Sequence, residues 1–188
     1  MRRTVDYFES PGPKNTARCL EISKQAVIGG IKHVVVATTG GDTGAAMAET
    51  LTGTGANVVA VTHSAGFKAP SELELSEENR QRMLKAGGKF YTGTILTHSI
   101  ETSLATQFQG VYPTTLVALS LRRLGQGIKV ACEIVMEACD AGLIPENQEV
   151  LAVTGTGRGA DTVAILRSAA SKRFHELKVL EILAKSRE

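Results

Sequence analysis

The sequence predicts a three-layer α/β domain in which helices cover both faces of a mostly parallel sheet. Short apolar segments rich in β-branched residues alternate with helical segments, an order typical of βαβ units. The apolar segments show no polar alternation, which is typical of strands buried on both faces. The 188 residues are 43% apolar and 21% charged, so residues 1–188 fit one globular domain with a single core.

The first half of the chain predicts a helix and then a βαβ unit. Near-helical spacing of apolar residues indicates a helix over residues 15–30, ended by a glycine pair. Asp42 or Thr43 suits the N-cap of the next helix. The segments that follow are a strand at His33–Ala37, a helix at residues 42–51 and a strand at Asn57–Thr62.

The second half predicts further helices, a weaker third strand and a last core strand. We expect its three consecutive helices to cover one face of the sheet. Residues 162–166 and 179–183 fit either a strand or a helix on periodicity alone. The predicted segments are a helix at residues 76–84, a strand at Lys89–Thr92, helices at Ile100–Phe108, 113–124 and 128–139, and a strand at residues 149–153.

The charge and hydropathy of the chain exclude several classes of partner. A formal net charge of +2 offers no large basic surface, so we expect no nucleic-acid partner. No apolar run approaches the ~20 residues of a membrane span, and the first residues do not form a secretory signal. We therefore expect no membrane partner and a cytoplasmic location.

The cysteine and histidine patterns predict neither disulfides nor a metal site. Cys19, Cys132 and Cys139 form no CxxC pair, which favours a reducing compartment. Cys132 and Cys139 lie on one face of a predicted helix, where cysteine usually acts as a small core residue. The four histidines are dispersed without metal-ligand spacing, so we expect no metal.

A Gly/Thr-rich loop follows the first strand of the βαβ unit. Helix N-termini have open backbone N–H groups that favour an anion, and threonine hydroxyls add donors. A bulky residue at Gly41 should block the approach of a phosphate and leave packing unaffected. An ordinary glycine-rich turn fits equally well, since the GK[ST] ending of a Walker A loop is missing. The loop residues are Thr38, Thr39, Gly40, Gly41, Asp42, Thr43 and Gly44.

A second glycine-rich loop follows the last core strand. Its spacing matches G-x-G-x-x-[GA], but a dinucleotide fingerprint would open the first βαβ unit. We interpret it as an anion-binding turn in which Arg158 can bind a phosphate. A surface turn with a solvated arginine is the alternative. The loop residues are Thr154, Gly155, Thr156, Gly157, Arg158 and Gly159.

The two loops share a position in the predicted fold. Each follows the carboxyl end of a buried strand, at the edge where open α/β sheets bind ligands. If the first and last core strands are neighbours, both loops face one crevice. Helices would then leave the crevice in opposite directions, which defines a topological switch point.

The loops and their strands resemble the C-terminal domain of pyruvate kinase, and more closely its stand-alone relatives that lack the catalytic barrel. Residues 34–43 (VVVATTGGDT) are similar to that domain's strand and T-x-S-G-x-S loop, and residues 150–155 (VLAVTG) to its V-x-V-L-T-G segment. The resemblance implies a mixed five-stranded sheet with an antiparallel last strand, and phosphate binding by both loops. Pyruvate kinase activity is not expected, because the chain is too short for a TIM barrel of ~250 residues.

The stand-alone members resemble binders of flavin mononucleotide (FMN), a ligand with one terminal phosphate and a flat ring system. The resemblance therefore implies a phosphorylated small ligand, with FMN as the best candidate. The loop departs from the family pattern at Gly40 and Asp42, and the chain has no tryptophan, which disfavours a sugar bisphosphate. The residues that could line the ring and the ribityl chain are Thr62, His63, Phe67, Thr97 and His98.

Two alternatives to a binding protein stay open. One is a flavin-dependent oxidoreductase or a phosphate-ester enzyme in which His63 or His98 is the acid or base. The other is a ligand-free module that assembles homo-oligomers through the apolar stripe of residues 128–139. Burial of that stripe in the chain's own core explains it equally well.

Overall fold

The computed structural model describes residues 4–187, and within them seven strands form one mixed sheet. The strands are β1 (Asp6–Phe8), β2 (His33–Ala37), β3 (Asn57–Thr62), β4 (Lys89–Thr92), β5 (Glu149–Thr154), β6 (Thr162–Arg167) and β7 (Lys178–Ser186). Their order is β1-β7-β6-β5-β2-β3-β4, and among these seven β6 alone runs against the others.

The mostly parallel sheet with an antiparallel strand near its end is confirmed, but the number of five strands is wrong. β7 pairs antiparallel with β6, and β1 pairs parallel with β7. β7 thus covers the free edge of β6, whose first five residues are buried. Without β7, β6 would be an apolar edge strand, which proteins avoid because open edges pair with other chains.

Six α-helices within residues 4–187 agree closely with the predicted segments. Two short 3₁₀ helices lie at Pro13–Asn15 and Ser171–Glu176. No helix in this part of the chain combines the length and the apolar character of a membrane span. The α-helices are α1 (Thr16–Ile28), α2 (Asp42–Thr50), α3 (Glu77–Lys85), α4 (Ile100–Phe108), α5 (Pro113–Arg122) and α6 (Gln126–Asp140).

The sheet lies between two hydrophobic layers, as the three-layer prediction requires. On one face α1, α2 and Met83 of α3 pack on alternate residues of the central strands, such as Val34 and Val36. On the other face α6 packs on the intervening residues, such as Val35. Because successive strand residues point to opposite faces, a continuous run of valines serves both layers.

The prediction that three consecutive helices cover the sheet is only partly right. α6 supplies the buried side chains of that face, whereas α4, as described, has no buried residue. α5 packs on α6 and α4 packs on α5. The stripe of residues 128–139 is buried in the chain's own core, so it is not a surface for assembly.

The order of the strands brings the two predicted loops together. β2 pairs in parallel with β3 on one side and with β5 on the other. The first and last core strands are therefore neighbours, as the crevice hypothesis requires. The switch-point prediction is wrong, because the second loop connects β5 to antiparallel β6 and no helix leaves it.

Candidate functional site

A cavity of about 600 Å³ opens at the carboxyl edge of the central strands. Its volume lies within the usual range of small-ligand pockets. The predicted site residues that line it are Thr38, Thr39, Gly40, Asp42, Thr43, Thr62, His63, Phe67, His98, Gly155, Gly157, Arg158 and Gly159. Five other predicted residues lie outside this lining, namely Gly41, Gly44, Thr97, Thr154 and Thr156.

The first loop leaves backbone donors open beside the cavity. The N–H of Thr38 donates to the carbonyl of Val61 at 2.9 Å, which extends the β2–β3 ladder. Within residues 4–187, the next two N–H groups, those of Thr39 and Gly40, have no hydrogen-bond acceptor. The first turn of α2 adds N–H groups that have no intrahelical partner. The loop can therefore donate several hydrogen bonds to an anion.

Gly41 is the N-cap of α2, so the prediction that Asp42 or Thr43 caps this helix is wrong. Its φ of 97° lies in the left-handed region, and its N–H donates to Thr38 Oγ1 at 3.1 Å. A Cβ at Gly41 would lie 2.6 Å from the Cβ of Asn79 on α3. The expectation that packing would tolerate a bulky residue here is therefore also wrong, because the loop packs directly on α3.

Asp42 is held by the neighbouring helix. The side-chain amide of Asn79 donates to Asp42 Oδ1 at 3.1 Å and to the carbonyl of Gly40 at 3.0 Å. Gly44 has a packing role, since a Cβ there would lie 3.0 Å from the Cβ of Ala60 on β3. The glycines of the first loop thus let α2 and α3 approach the sheet closely.

The second loop is held from beneath by Asp161, a fully buried residue that the sequence analysis missed. Asp161 Oδ2 accepts the N–H of Thr156 at 2.9 Å and that of Gly12 at 3.0 Å. The buried hydroxyl of Thr154 donates to the carbonyl of Gly127 on α6 at 2.8 Å. Thr154 and the N–H of Thr156 therefore stabilise the loop itself and are not open to a ligand.

Arg158 lies at the mouth of the cavity beside Glu74, another residue that the sequence analysis missed. Its guanidinium is 65% exposed, and Nη2 lies 3.9 Å from Glu74 Oε1. The other oxygen of Glu74 lies 2.8 Å from Nδ1 of His63. Glu74 thus connects the second loop to the residue that follows β3, and Arg158 is within reach of an incoming anion.

An aromatic group of His63, Phe67 and His98 also lines the cavity. The ring centroids of His63 and Phe67 are 4.2 Å apart, and those of Phe67 and His98 are 6.1 Å apart. Phe67 is 45% exposed. A flat ring entering the cavity could therefore gain apolar contact from Phe67. The sequence analysis selected all three of these residues.

Thr97 positions residues of the site without lining the cavity. Its N–H and its hydroxyl donate to Glu133 Oε1 at 2.8 and 2.7 Å. Nδ1 of His98 lies 3.2 Å from the same hydroxyl oxygen. Because the hydroxyl proton goes to the carboxylate, His98 Nδ1 must be the donor, which leaves its Nε2 as an acceptor.

Thr62 is buried and shares a 2.7 Å hydrogen bond with the hydroxyl of Thr92.

The wall of the cavity on α6 carries three buried ionisable residues, Lys129, Glu133 and Glu137. The sequence analysis missed them, although charged residues at i, i+4 and i+8 in an otherwise apolar helix are a visible signal. Lys129 donates to Glu133 Oε2, and the N–H of Leu96 donates to Glu137 Oε1 at 3.3 Å. These residues add ionisable groups to a wall that Val130 and Ile134 make partly apolar.

The surroundings shift the pKa values of two groups in the site. Burial and then the nearby negative charge of Glu133 raise the pKa of Glu137 to about 8, so this carboxyl is mostly protonated at neutral pH. Burial and then the positive charge of Lys129 lower the pKa of His98. The imidazole of His98 is therefore neutral at pH 7.

Burial also raises the pKa of the cysteine thiols, to about 12 for Cys19 and to about 11 for Cys132 and Cys139. All three residues are buried core residues. Thiols with such pKa values are protonated at neutral pH and are poor nucleophiles. The interpretation of Cys132 and Cys139 as small core residues agrees with this environment, and Cys19 is buried in the same way.

Comparison with protein families identifies the fold family of this chain. Residues 18–166 match the family "Pyruvate kinase, alpha/beta domain". The chain belongs to this family. The match includes both glycine-rich loops, α6 and the strands that border the cavity. Of the lining residues, Pro13 and Thr16 lie before the matched segment.

Solved structures with similar chain paths include pyruvate kinases from Cryptosporidium parvum. One is 16% identical with a TM-score of 0.38, and the match covers 84% of this chain and 23% of that pyruvate kinase. A second, in complex with ADP, is 15% identical with a TM-score of 0.42, and the match covers 86% of this chain and 25% of that pyruvate kinase. An O-ureido-L-serine synthase is 16% identical with a TM-score of 0.32, and the match covers 76% of this chain and 51% of the synthase chain. This chain thus spans about a quarter of the pyruvate kinases that it matches.

Proposed function

We propose that this protein binds a phosphorylated small ligand in the cavity at the carboxyl edge of the sheet, and that FMN is the best candidate. The observation that supports the proposal is the meeting of both loops at one cavity of about 600 Å³. The phosphate would accept hydrogen bonds from the open N–H groups of Thr39 and Gly40 and from Arg158.

The rest of the cavity suits the flat ring of a flavin. Apolar side chains from β2, β3 and α6 line it together with the half-exposed Phe67. A flat ring can displace water from such a surface and gain about 25 cal/mol for each Å² of apolar area that it buries. Besides Phe67, the apolar lining residues are Pro13, Ala37, Ala46, Val61, Ile95, Val130 and Ile134.

Titration of the purified protein with FMN and with riboflavin, followed by flavin fluorescence, tests the proposal. We expect FMN to bind more tightly than riboflavin, because riboflavin lacks the phosphate that the two loops would hold. Equal affinities would overturn phosphate binding by the loops. No binding of either flavin, together with no flavin absorbance in the purified protein, would overturn FMN as the ligand.

A catalytic role is the second candidate function, and the neutral imidazole of His98 with its open Nε2 favours it as a base. Such an enzyme needs room for a second substrate beside the ligand. Steady reduction of bound FMN by a nicotinamide cofactor would support an oxidoreductase, and a His98→Gln variant should slow it.

Assembly into homo-oligomers stays a prediction, which the molecular mass in solution tests.

A further inference from the structure

Glu137 is a buried carboxyl group with an unused oxygen at the cavity wall. The residue is 2% exposed and lines the cavity. Its Oε1 accepts the N–H of Leu96 at 3.3 Å. Among residues 4–187, its Oε2 has no hydrogen-bond partner. Oε2 is also not one of the fully buried side-chain oxygens that lack a partner in this part of the chain, so it is accessible. An accessible polar atom without a protein partner beside a cavity is open to a ligand atom.

The charges around Glu137 favour a neutral carboxyl. Lys129 is the cation among the three buried ionisable residues of the α6 wall, and it is already paired with Glu133. Glu133 also accepts two hydrogen bonds from Thr97. A second ionised carboxylate at Glu137 would have no cation of its own and would repel Glu133.

The other ionisable groups near Glu137 do not change this balance. Asp140, one turn further along α6, adds negative charge. Tyr91 on β4 has a raised pKa, chiefly because of its burial, and stays neutral below pH 10. His98 has a lowered pKa and adds no positive charge at pH 7. Protonation of Glu137 is therefore the state that the surroundings stabilise.

We infer that Glu137, as a carboxylic acid, donates a hydrogen bond from Oε2 to a carbonyl oxygen on the ring of the bound ligand. This inference rests on the proposed function, since the same cavity would hold the phosphate at the loops. It restricts the ligand to phosphorylated heterocycles that carry a ring carbonyl. FMN meets the requirement, because the pyrimidine side of its ring has two carbonyl groups.

The consequence is that ligand affinity depends on the proton of Glu137. Ionisation would replace the O–H donor by a carboxylate that faces a carbonyl oxygen, a contact between two acceptors. Affinity should therefore fall above pH 8, by about tenfold between pH 7 and pH 9 if the ionised form does not bind. Glu137→Gln keeps the shape and an N–H donor but cannot ionise.

The test measures FMN affinity for the wild type, Glu137→Gln and Glu137→Leu between pH 7 and pH 9. We expect Glu137→Gln to bind within about threefold of the wild type at pH 7 and to keep its affinity at pH 9. Glu137→Leu should bind roughly two- to tenfold more weakly at pH 7, the usual effect of one lost hydrogen bond. Titration of FMN itself cancels in the comparison of wild type with Glu137→Gln.

Calorimetry of the wild type in two buffers of different ionisation enthalpy provides a check that needs no variant. At pH 8.5 FMN binding should take up a fraction of a proton, while the ligand phosphate, with its second pKa near 6, contributes little. FMN binding without proton uptake, and with the same pH profile in Glu137→Gln, would overturn the role of Glu137 alone. A wild type that binds no FMN at any pH would overturn the proposed function and this inference with it.

Discussion

Gly41 and Asn79 are in such close contact that the loop and α3 pack as one unit. A Cβ on Gly41 would lie 2.6 Å from the Cβ of Asn79, and 2.7 Å from Cδ1 of Leu75. Real Cβ atoms do not approach carbon atoms this closely, so a larger residue would force the helix and the loop apart. The first loop is therefore shaped by packing as well as by any ligand.

This contact predicts that Gly41→Ala destabilises the fold. The substitution adds left-handed strain, about 1–2 kcal/mol, to an overpacking cost of about 1–3 kcal/mol. Gly53→Ala is the matched control, because Gly53 has a φ of 79° but no atom within 4 Å of its Cβ position. Urea unfolding should show a larger loss of stability for Gly41→Ala than for Gly53→Ala. Equal losses would mean that the contact with Asn79 relaxes freely.

The position of Arg158 predicts a specific loss of phosphate binding. Because its guanidinium is 65% exposed, Arg158→Ala should weaken FMN binding by about 1.5 kcal/mol, the low end for a charge-assisted hydrogen bond. The effect should shrink at high salt, and riboflavin binding should not change. Arg80→Ala is the control, since Arg80 pairs with Glu77 on α3 and does not line the cavity. Similar effects of both variants on FMN would argue against a phosphate contact of Arg158.

The role of Asp161 predicts a graded effect of two substitutions. Asp161→Ala removes the acceptor of two backbone N–H groups, so it should lower the free energy of unfolding by about 2–4 kcal/mol. Asp161→Asn should cost less stability, because its amide oxygen can still accept both N–H groups. Its amide NH2 would then face the hydroxyl oxygen of Thr162, to which it can donate. Urea denaturation of both variants checks this order, which a smaller cost for alanine would contradict.

The raised pKa of Glu137 predicts that folding stability depends on pH. The folded pKa of about 8 lies above the unfolded value of about 4.3, so the folded state holds a proton that the unfolded state has lost between these values. This contribution is complete below the unfolded pKa and is lost as pH rises towards 8. Through this group, the free energy of unfolding falls by at most about 1.4 kcal/mol per pH unit.

The comparison of wild type with Glu137→Gln isolates this contribution. The stability of the wild type relative to the variant should fall between pH 5 and pH 8 and then level off. Thermal or urea unfolding at several pH values measures the difference. A difference that is constant across this range would show that Glu137 is ionised in the folded protein at neutral pH.

The sequence by itself determined the six α-helices, the central strands and the position of both loops. It did not indicate β1, and its periodicity left the segments of β6 and β7 open between strand and helix. Strands such as His33–Ala37 were visible because β-branched runs without polar alternation fit strands buried on both faces. The helices were visible from apolar spacing and from the glycines that end them. Both signals are local, since a few neighbouring residues decide them.

Only the tertiary structure decided which residues share the cavity. The pairing of β2 with β5 joins segments more than 100 residues apart, and no local pattern specifies it. The same holds for Glu74, Asp161 and Glu137, whose partners come from distant segments. Polar residues usually lie exposed, but non-local packing buries Asp161 and Glu137. Hydrogen bonds, and for Glu137 also protonation, offset the cost of burial.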